Sequence, residues 1–232
     1  MSKQPASKAK PANSAARGND TPPQKKALFL ILLAGLVIAA GIIAVVAARG
    51  PDKDKADAGD GARSIQEYRP VDVIGKVLPT NPDAGTDAGI GQVAPTVVGQ
   101  TFTGDAVKIG GDNTPKVVMF LAHWCPHCQA EVPVITSYLT AKGMPQGVSL
   151  YAVATATDKA RPNYPPSTWL EKAKWPVKTI ADDSKYTAST AFGLNAFPYF
   201  VAINAEGKVT QRATGELTTQ QFEALIASAK GA

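Results

Sequence analysis

The stretch Val117-Val118-Met119-Phe120-Leu121-Ala122-His123-Trp124-Cys125-Pro126-His127-Cys128 decides the fold. Its first six residues form an unbroken apolar run, as in a central strand covered on both faces. Both cysteines and both histidines of the 232-residue chain fall in the six residues that follow. Beyond Cys128, residues Val132, Ile135 and Leu139 recur at helical spacing, so the cysteines stand where a strand gives way to a helix. Cys125 then takes the N-cap and Pro126 the first helical position, where its missing N–H costs nothing. The free amides and the positive end of the helix dipole stabilise a thiolate at Cys125. A protonated His127 would add a second positive charge, and Cys128, one turn in, would be the resolving thiol.

Other readings of the same residues are weaker. A disulfide between cysteines two residues apart constrains almost no chain, so stability is a poor reason for it. A c-type haem needs Cys-x-x-Cys-His, and position 129 is Gln129. Structural zinc sites draw ligand pairs from separated segments, and four ligands within six residues could hardly surround one ion. No metal or cofactor is therefore expected. His127 can also be read as a bystander on a solvated helix end.

Outward from this centre, Val148–Ala154 and Tyr199–Ile203 read as further strands. Asn204-Ala205-Glu206-Gly207 supplies turn chemistry before Lys208–Thr214, which makes a hairpin. Phe222, Leu225, Ile226 and Ala229 share a helical face, and Thr218 with Gln221 fits a capping box. Strands interleaved with helices give an α/β domain.

With Trp124-Cys125-Pro126-His127-Cys128 in this context, residues 91–232 resemble the thioredoxin superfamily over most of their length. Gly91–Pro95, Phe102–Asp105 and Val107–Ile109 look like the opening segment of TlpA/ResA-type thiol–disulfide oxidoreductases. Glu131 and Pro133 match that group's Trp-Cys-x-x-Cys-x-x-Glu-x-Pro pattern, whereas the Pro126-His127 dipeptide resembles that of DsbA-type oxidants. The resemblance implies a thioredoxin-like fold, a central mixed sheet flanked by helices, with Cys125 and Cys128 as a redox disulfide. It also implies a cis proline at Pro198, after Phe197, facing the cysteines, and a glycine after the last strand at Gly215. Thioredoxin itself carries a buried aspartate six residues before its first cysteine, where this chain has Met119. Glu131 is the replacement candidate for the base that deprotonates Cys128, and a solvated helix glutamate is the plain alternative. Pro133 falls mid-helix and removes one hydrogen bond.

The formal charge of +5, from 24 Lys and Arg against 19 Asp and Glu, is not a nucleic-acid signature. The whole excess lies in residues 1–26, which contain Lys3, Lys8, Lys10, Arg17, Lys25 and Lys26 against Asp20 alone. A nucleic-acid-binding domain would need a basic face of its own. The tail has no aromatic residue and no Leu, Ile or Val, so it is expected to be disordered. Residues 27–48, ALFLILLAGLVIAAGIIAVVAA, carry no charge and are long enough for a bilayer-spanning helix. A cleaved signal peptide has a shorter apolar core, of roughly 7–15 residues, so a retained anchor is the expectation. Lys and Arg favour the amino-terminal flank, which predicts a cytoplasmic amino terminus and an extracytoplasmic remainder. Residues 49–90 read as a charged, Gly- and Pro-rich linker with a short strand or docking segment at 65–78. The thioredoxin-like domain is expected over 91–232.

These readings converge on a membrane-anchored, extracytoplasmic thiol–disulfide oxidoreductase that exchanges disulfides with exported proteins. Two cysteines leave no second redox pair, so a membrane redox partner would have to recharge the site. The Pro-His dipeptide tilts the balance slightly towards disulfide formation. The Glu131/Pro133 pattern and the anchor favour the alternative, a reductant serving cytochrome c maturation or a similar process. A tethered module that only binds, through apolar surface around Trp124, Phe197 and Pro198, is a further alternative. Residues 164–175 look like an insertion.

Overall fold

The computed structural model describes residues 64–231. The tail at 1–26 and the span expected at 27–48 lie outside the described residues. Among the described residues, no helix is long and apolar enough to cross a membrane.

The run that opened the sequence reading becomes strand β4. In chain order the strands are β1 (Asp72–Ile74), β2 (Thr96–Gln100), β3 (Ala106–Ile109), β4 (Lys116–Leu121), β5 (Ser149–Ala154), β6 (Lys178–Ala181), β7 (Tyr199–Ile203) and β8 (Val209–Thr214). The helices are α1 (Pro126–Lys142), α2 (Pro166–Lys172), α3 (Thr187–Ala191) and α4 (Thr219–Lys230). The main sheet has the order β6-β5-β4-β7-β8, with β4 at its centre. β5 runs parallel to β4 and β6 parallel to β5, whereas β7 and β8 pair antiparallel. This is the mixed sheet of a thioredoxin-like α/β fold. All six residues of β4 are buried, as its lack of alternation implied.

Alternate β4 side chains feed two cores. Val117, Met119 and Leu121 pack with Cys128, Val132, Ile135 and Leu139 of α1 and with Phe222, Leu225 and Ile226 of α4. Val118 and Phe120 face the opposite layer, with Val97, Ile109, Phe192, Tyr199 and Val201. Lys116 enters the sheet buried, and its ammonium reaches the Asp112 carboxylate at 2.6 Å. The hairpin β7–β8 and the capping box at Thr218 and Gln221 form where the sequence placed them.

The packed body extends amino-terminal of residue 91. β1 joins β2 and β3 in a small antiparallel sheet, and Val71 and Leu78 are buried. Gln66 N–H donates to the Phe102 carbonyl at 2.9 Å, and the Tyr68 hydroxyl to the Thr157 carbonyl at 2.8 Å. Glu67 accepts hydrogen bonds from the Ser167 amide and hydroxyl. The loop before residue 91 is pinned by Arg212 of β8, a fully buried side chain. Its guanidinium forks onto the Asp87 carboxylate and also donates to the Pro79 carbonyl at 2.8 Å. That fork holds the Asp87 carboxyl below its ordinary range. At Gly193 a Cβ would overlap the Pro79 carbonyl, so only glycine admits this close approach.

Residues 164–175 are part of the architecture. They contain α2, the crossover between parallel strands β5 and β6, whose Leu170 packs into the core.

Candidate active site

Both cysteines lie at the carboxyl end of β4. Cys125 is the N-cap of α1 in extended conformation, Pro126 occupies the first turn, and the Cys125 carbonyl accepts the Gln129 amide at 3.0 Å. Both cysteines are free thiols. Cys125 is 7% exposed and Cys128 is fully buried, so the first cysteine is the more accessible of the pair. The Cys128 sulfur accepts the Ala122 amide at 3.4 Å. Burial pushes the Cys128 thiol well above its ordinary range, outweighing that hydrogen bond, and the nearby Glu131 carboxylate adds to the rise. Deprotonation of Cys128 therefore requires a base.

The Phe197–Pro198 peptide is cis and sits across from the cysteines. The Cys125 thiol points to the Phe197 carbonyl at 3.9 Å. The Trp124 ring meets Phe197 edge-on, with centroids 6.0 Å apart. An apolar cleft of about 240 Å³ borders Phe197, between Ala156 and Leu194. A larger cavity of about 550 Å³ lies on the outer face of α1, around Val134 and Tyr138, away from the thiols.

Glu131 is 1% exposed, which sets aside the solvated reading. One carboxylate oxygen accepts the Leu217 amide at 3.0 Å, and the other has no hydrogen-bond partner among the described residues. Burial pushes its pKa up to about 7; the Leu217 hydrogen bond opposes the rise and the Glu216 charge adds to it. A carboxyl that titrates near neutrality beside a thiol that needs a base is matched to proton exchange with it.

His127 turns outward from Cys125. Its Nδ1 lies 2.6 Å from the Glu216 carboxylate, and its side chain is 67% exposed. A protonated His127 therefore has its charge matched by Glu216.

His123, grouped with the motif by sequence, has a different task. Its ring is buried, with Nδ1 2.7 Å from the Pro162 carbonyl and Nε2 accepting the Asp158 amide at 3.1 Å. These partners define a neutral ring with the proton on Nδ1. His123 thus ties down the loop after β5. That loop braces Trp124 in turn: the indole N–H donates to the Ala156 carbonyl at 2.7 Å, and the Arg161 guanidinium lies 4.4 Å from the ring centroid. Glu216, Leu217 and the His123 partners are the site components that sequence reading missed. The capping box at Thr218 marked the position of the turn and gave no sign of what it touches.

Comparison with known proteins shows the family of the chain. The Redoxin family profile matches residues 91–226. A thiol:disulfide interchange protein DsbE homolog of Paracoccus denitrificans (strain Pd 1222) is 29% identical over 150 residues, covering 63% of this chain and 78% of that protein. The thiol-disulfide oxidoreductase ResA of Bacillus thuringiensis (strain Al Hakam) is 29% identical over 139 residues, covering 59% and 76% respectively. Among solved structures, StoA from Bacillus subtilis aligns with a TM-score of 0.48 at 20% identity, over 58% of this chain and 98% of that one. With Cys125 and Cys128 at the end of its central strand, the chain belongs to the Redoxin family, as a thiol–disulfide oxidoreductase of the DsbE and ResA type.

Proposed function

We propose that this oxidoreductase works in the reducing direction, opening disulfides in exported proteins such as the apoproteins of cytochrome c maturation. The carrying observation is the 2.6 Å pair between His127 and Glu216. A strong oxidant needs surplus positive charge to stabilise its reduced thiolate. Here the Glu216 carboxylate lies against His127, and Glu131 brings further negative charge. This reading favours the reductant alternative over the slight tilt towards disulfide formation suggested by the Pro-His dipeptide.

In this reading the Cys125 thiolate attacks the substrate disulfide and forms a mixed disulfide, releasing one substrate sulfur as thiolate. The substrate chain lies extended against the Phe197 backbone, with a side chain in the adjoining apolar cleft. Glu131 takes the proton of Cys128. The new thiolate attacks the Cys125 sulfur, the Cys125–Cys128 bond forms, and the second substrate thiolate departs. A membrane redox partner then re-reduces the pair.

Equilibration of the full-length protein in graded dithiol buffers tests the direction. A midpoint below about −220 mV, towards the thioredoxin value of about −270 mV, is expected; one near the DsbA value of about −120 mV would overturn the assignment.

The membrane setting rests on the 22 chargeless residues 27–48 and on the Lys and Arg asymmetry around them. Fusion of a reporter active only outside the cytoplasm after residue 60 is expected to give active enzyme. Activity solely from a cytoplasmic reporter at that site would reject this topology.

A further inference from the structure

Each residue of the turn between β8 and α4, Gly215 to Thr218, makes a polar contact, and those of the first three reach the redox site. Gly215 N–H donates to the Pro198 carbonyl at 2.8 Å. Glu216 meets His127 at 2.6 Å, and Leu217 N–H donates to the Glu131 carboxylate at 3.0 Å. Thr218 caps α4, its hydroxyl accepting the Gln221 amide at 3.2 Å. The turn is thus rooted at one end on the cis proline and at the other on a helix start. Glu216 and Leu217 bridge from it to α1.

We propose that Glu216 is a positioning residue for the resolving step: its ion pair with His127 fastens the turn after β8 to the first turn of α1, and so fixes the Leu217 amide on which the Glu131 carboxylate rests. The inference rests on the role of Glu131 as the base for Cys128. As a fold-stabilising element the pair would contribute little, because both side chains are about half exposed or more. Its position gives it consequence. The amide it steadies is the one hydrogen-bond donor that Glu131 has among the described residues. The titratable groups facing Glu131 are Cys128 on its own helix and Glu216 on the turn, and the Glu216 charge makes Glu131 hold its proton more tightly.

Single-turnover reaction of the reduced full-length protein with dithiobis(nitrobenzoate) separates the two steps. Attack by Cys125 releases the first thionitrobenzoate. Attack by Cys128 on the Cys125 sulfur then forms the internal disulfide and releases the second, its proton passing to Glu131. In Glu216→Ala the second phase is expected to slow about tenfold relative to the first, the loss of one charge-assisted contact, with its pH midpoint displaced from the parent's. His127→Ala should slow the second phase to the same degree, and the double variant no more than either single one. Glu216→Gln keeps an acceptor for His127 but removes the charge. It should retain most of the second-phase rate, with a midpoint moved to lower pH. If Glu216→Ala resolves at the parental rate with the parental midpoint, while Glu131→Gln is slowed, the proposal for Glu216 fails alone. If Glu131→Gln also resolves at the parental rate, the role of Glu131 fails and takes this inference with it.

Discussion

Replacement of Cys128 by alanine is expected to arrest the protein as a mixed disulfide through Cys125. The resolving thiol lies one helical turn from Cys125, so it acts intramolecularly. Exchanging it for about 1 mM of an external thiol should slow release of bound substrate at least about a thousandfold. Cys128 is buried among apolar side chains of the core, so alanine leaves a small apolar gap and a folded domain. Non-reducing electrophoresis of cell envelopes should then show adducts with exported proteins that vanish on reduction. Absence of any adduct in the Cys128→Ala variant would favour a binding module over an enzyme.

The second large effect is expected at Glu131, and it separates stability from catalysis. The folded protein holds the Glu131 proton with a pKa of about 7, against an ordinary value of 4.5. Between those values the native state binds more protons than the unfolded chain, so stability falls as pH rises through the window. Once the carboxyl is charged, above about pH 7, the penalty is complete. Its size is about 2 kcal/mol after discounting the full shift for solvent screening. Glu131→Gln keeps an acceptor for the Leu217 amide and removes the charge. The variant should therefore match the parent near pH 4 and exceed it by about 2 kcal/mol at pH 8, measured by denaturant unfolding.

Catalysis should move the other way. Removing the carboxylate charge makes a Cys128 thiolate less unfavourable, while removing the base takes away a contribution typically worth a hundredfold or more. The second effect wins, and resolution at pH 7 should slow by at least about tenfold. The rate should also lose its inflection near neutrality. A variant with unchanged stability at pH 8 and an unchanged rate profile would remove Glu131 from the mechanism.

How legible these features were depended on how local their causes are. The N-cap at Cys125, the proline after it, the buried face of α1 and the box at Thr218 are each set within four residues, and each was readable. The cis bond at Pro198 followed from resemblance, with Phe197 opposite Cys125 as expected. The partners of the histidines were not readable. His127 meets Glu216 across 89 residues, and His123 meets Asp158 and Pro162 across 35 and 39. Spacing therefore placed His127 beside the thiolate, and tertiary structure turned it to a carboxylate. Residues 65–78 carried enough Val, Ile and Tyr to suggest a short strand or docking segment, and β1 lies there; residues 79–90 read as loop because they are rich in Pro, Gly and Asp. Not readable were the polar, long-range contacts that help hold them: the Arg212–Asp87 fork spans 125 residues, and Glu67 reaches Ser167 across 100.

On the proposed membrane anchor, the fastening of residues 66–68 onto the body would shorten the tether. With an anchor ending at residue 48, a domain beginning at 91 would trail 42 residues, enough to roam about 150 Å from the bilayer when fully extended. Docking from Gln66 onward leaves 17 residues, a reach of about 60 Å. The attachment also lies near the redox end, since Tyr68 grips Thr157, next to the Ala156 carbonyl that holds Trp124. On the proposed anchor, the redox end would therefore be kept within that shorter reach of the bilayer, where a membrane redox partner would have to meet it.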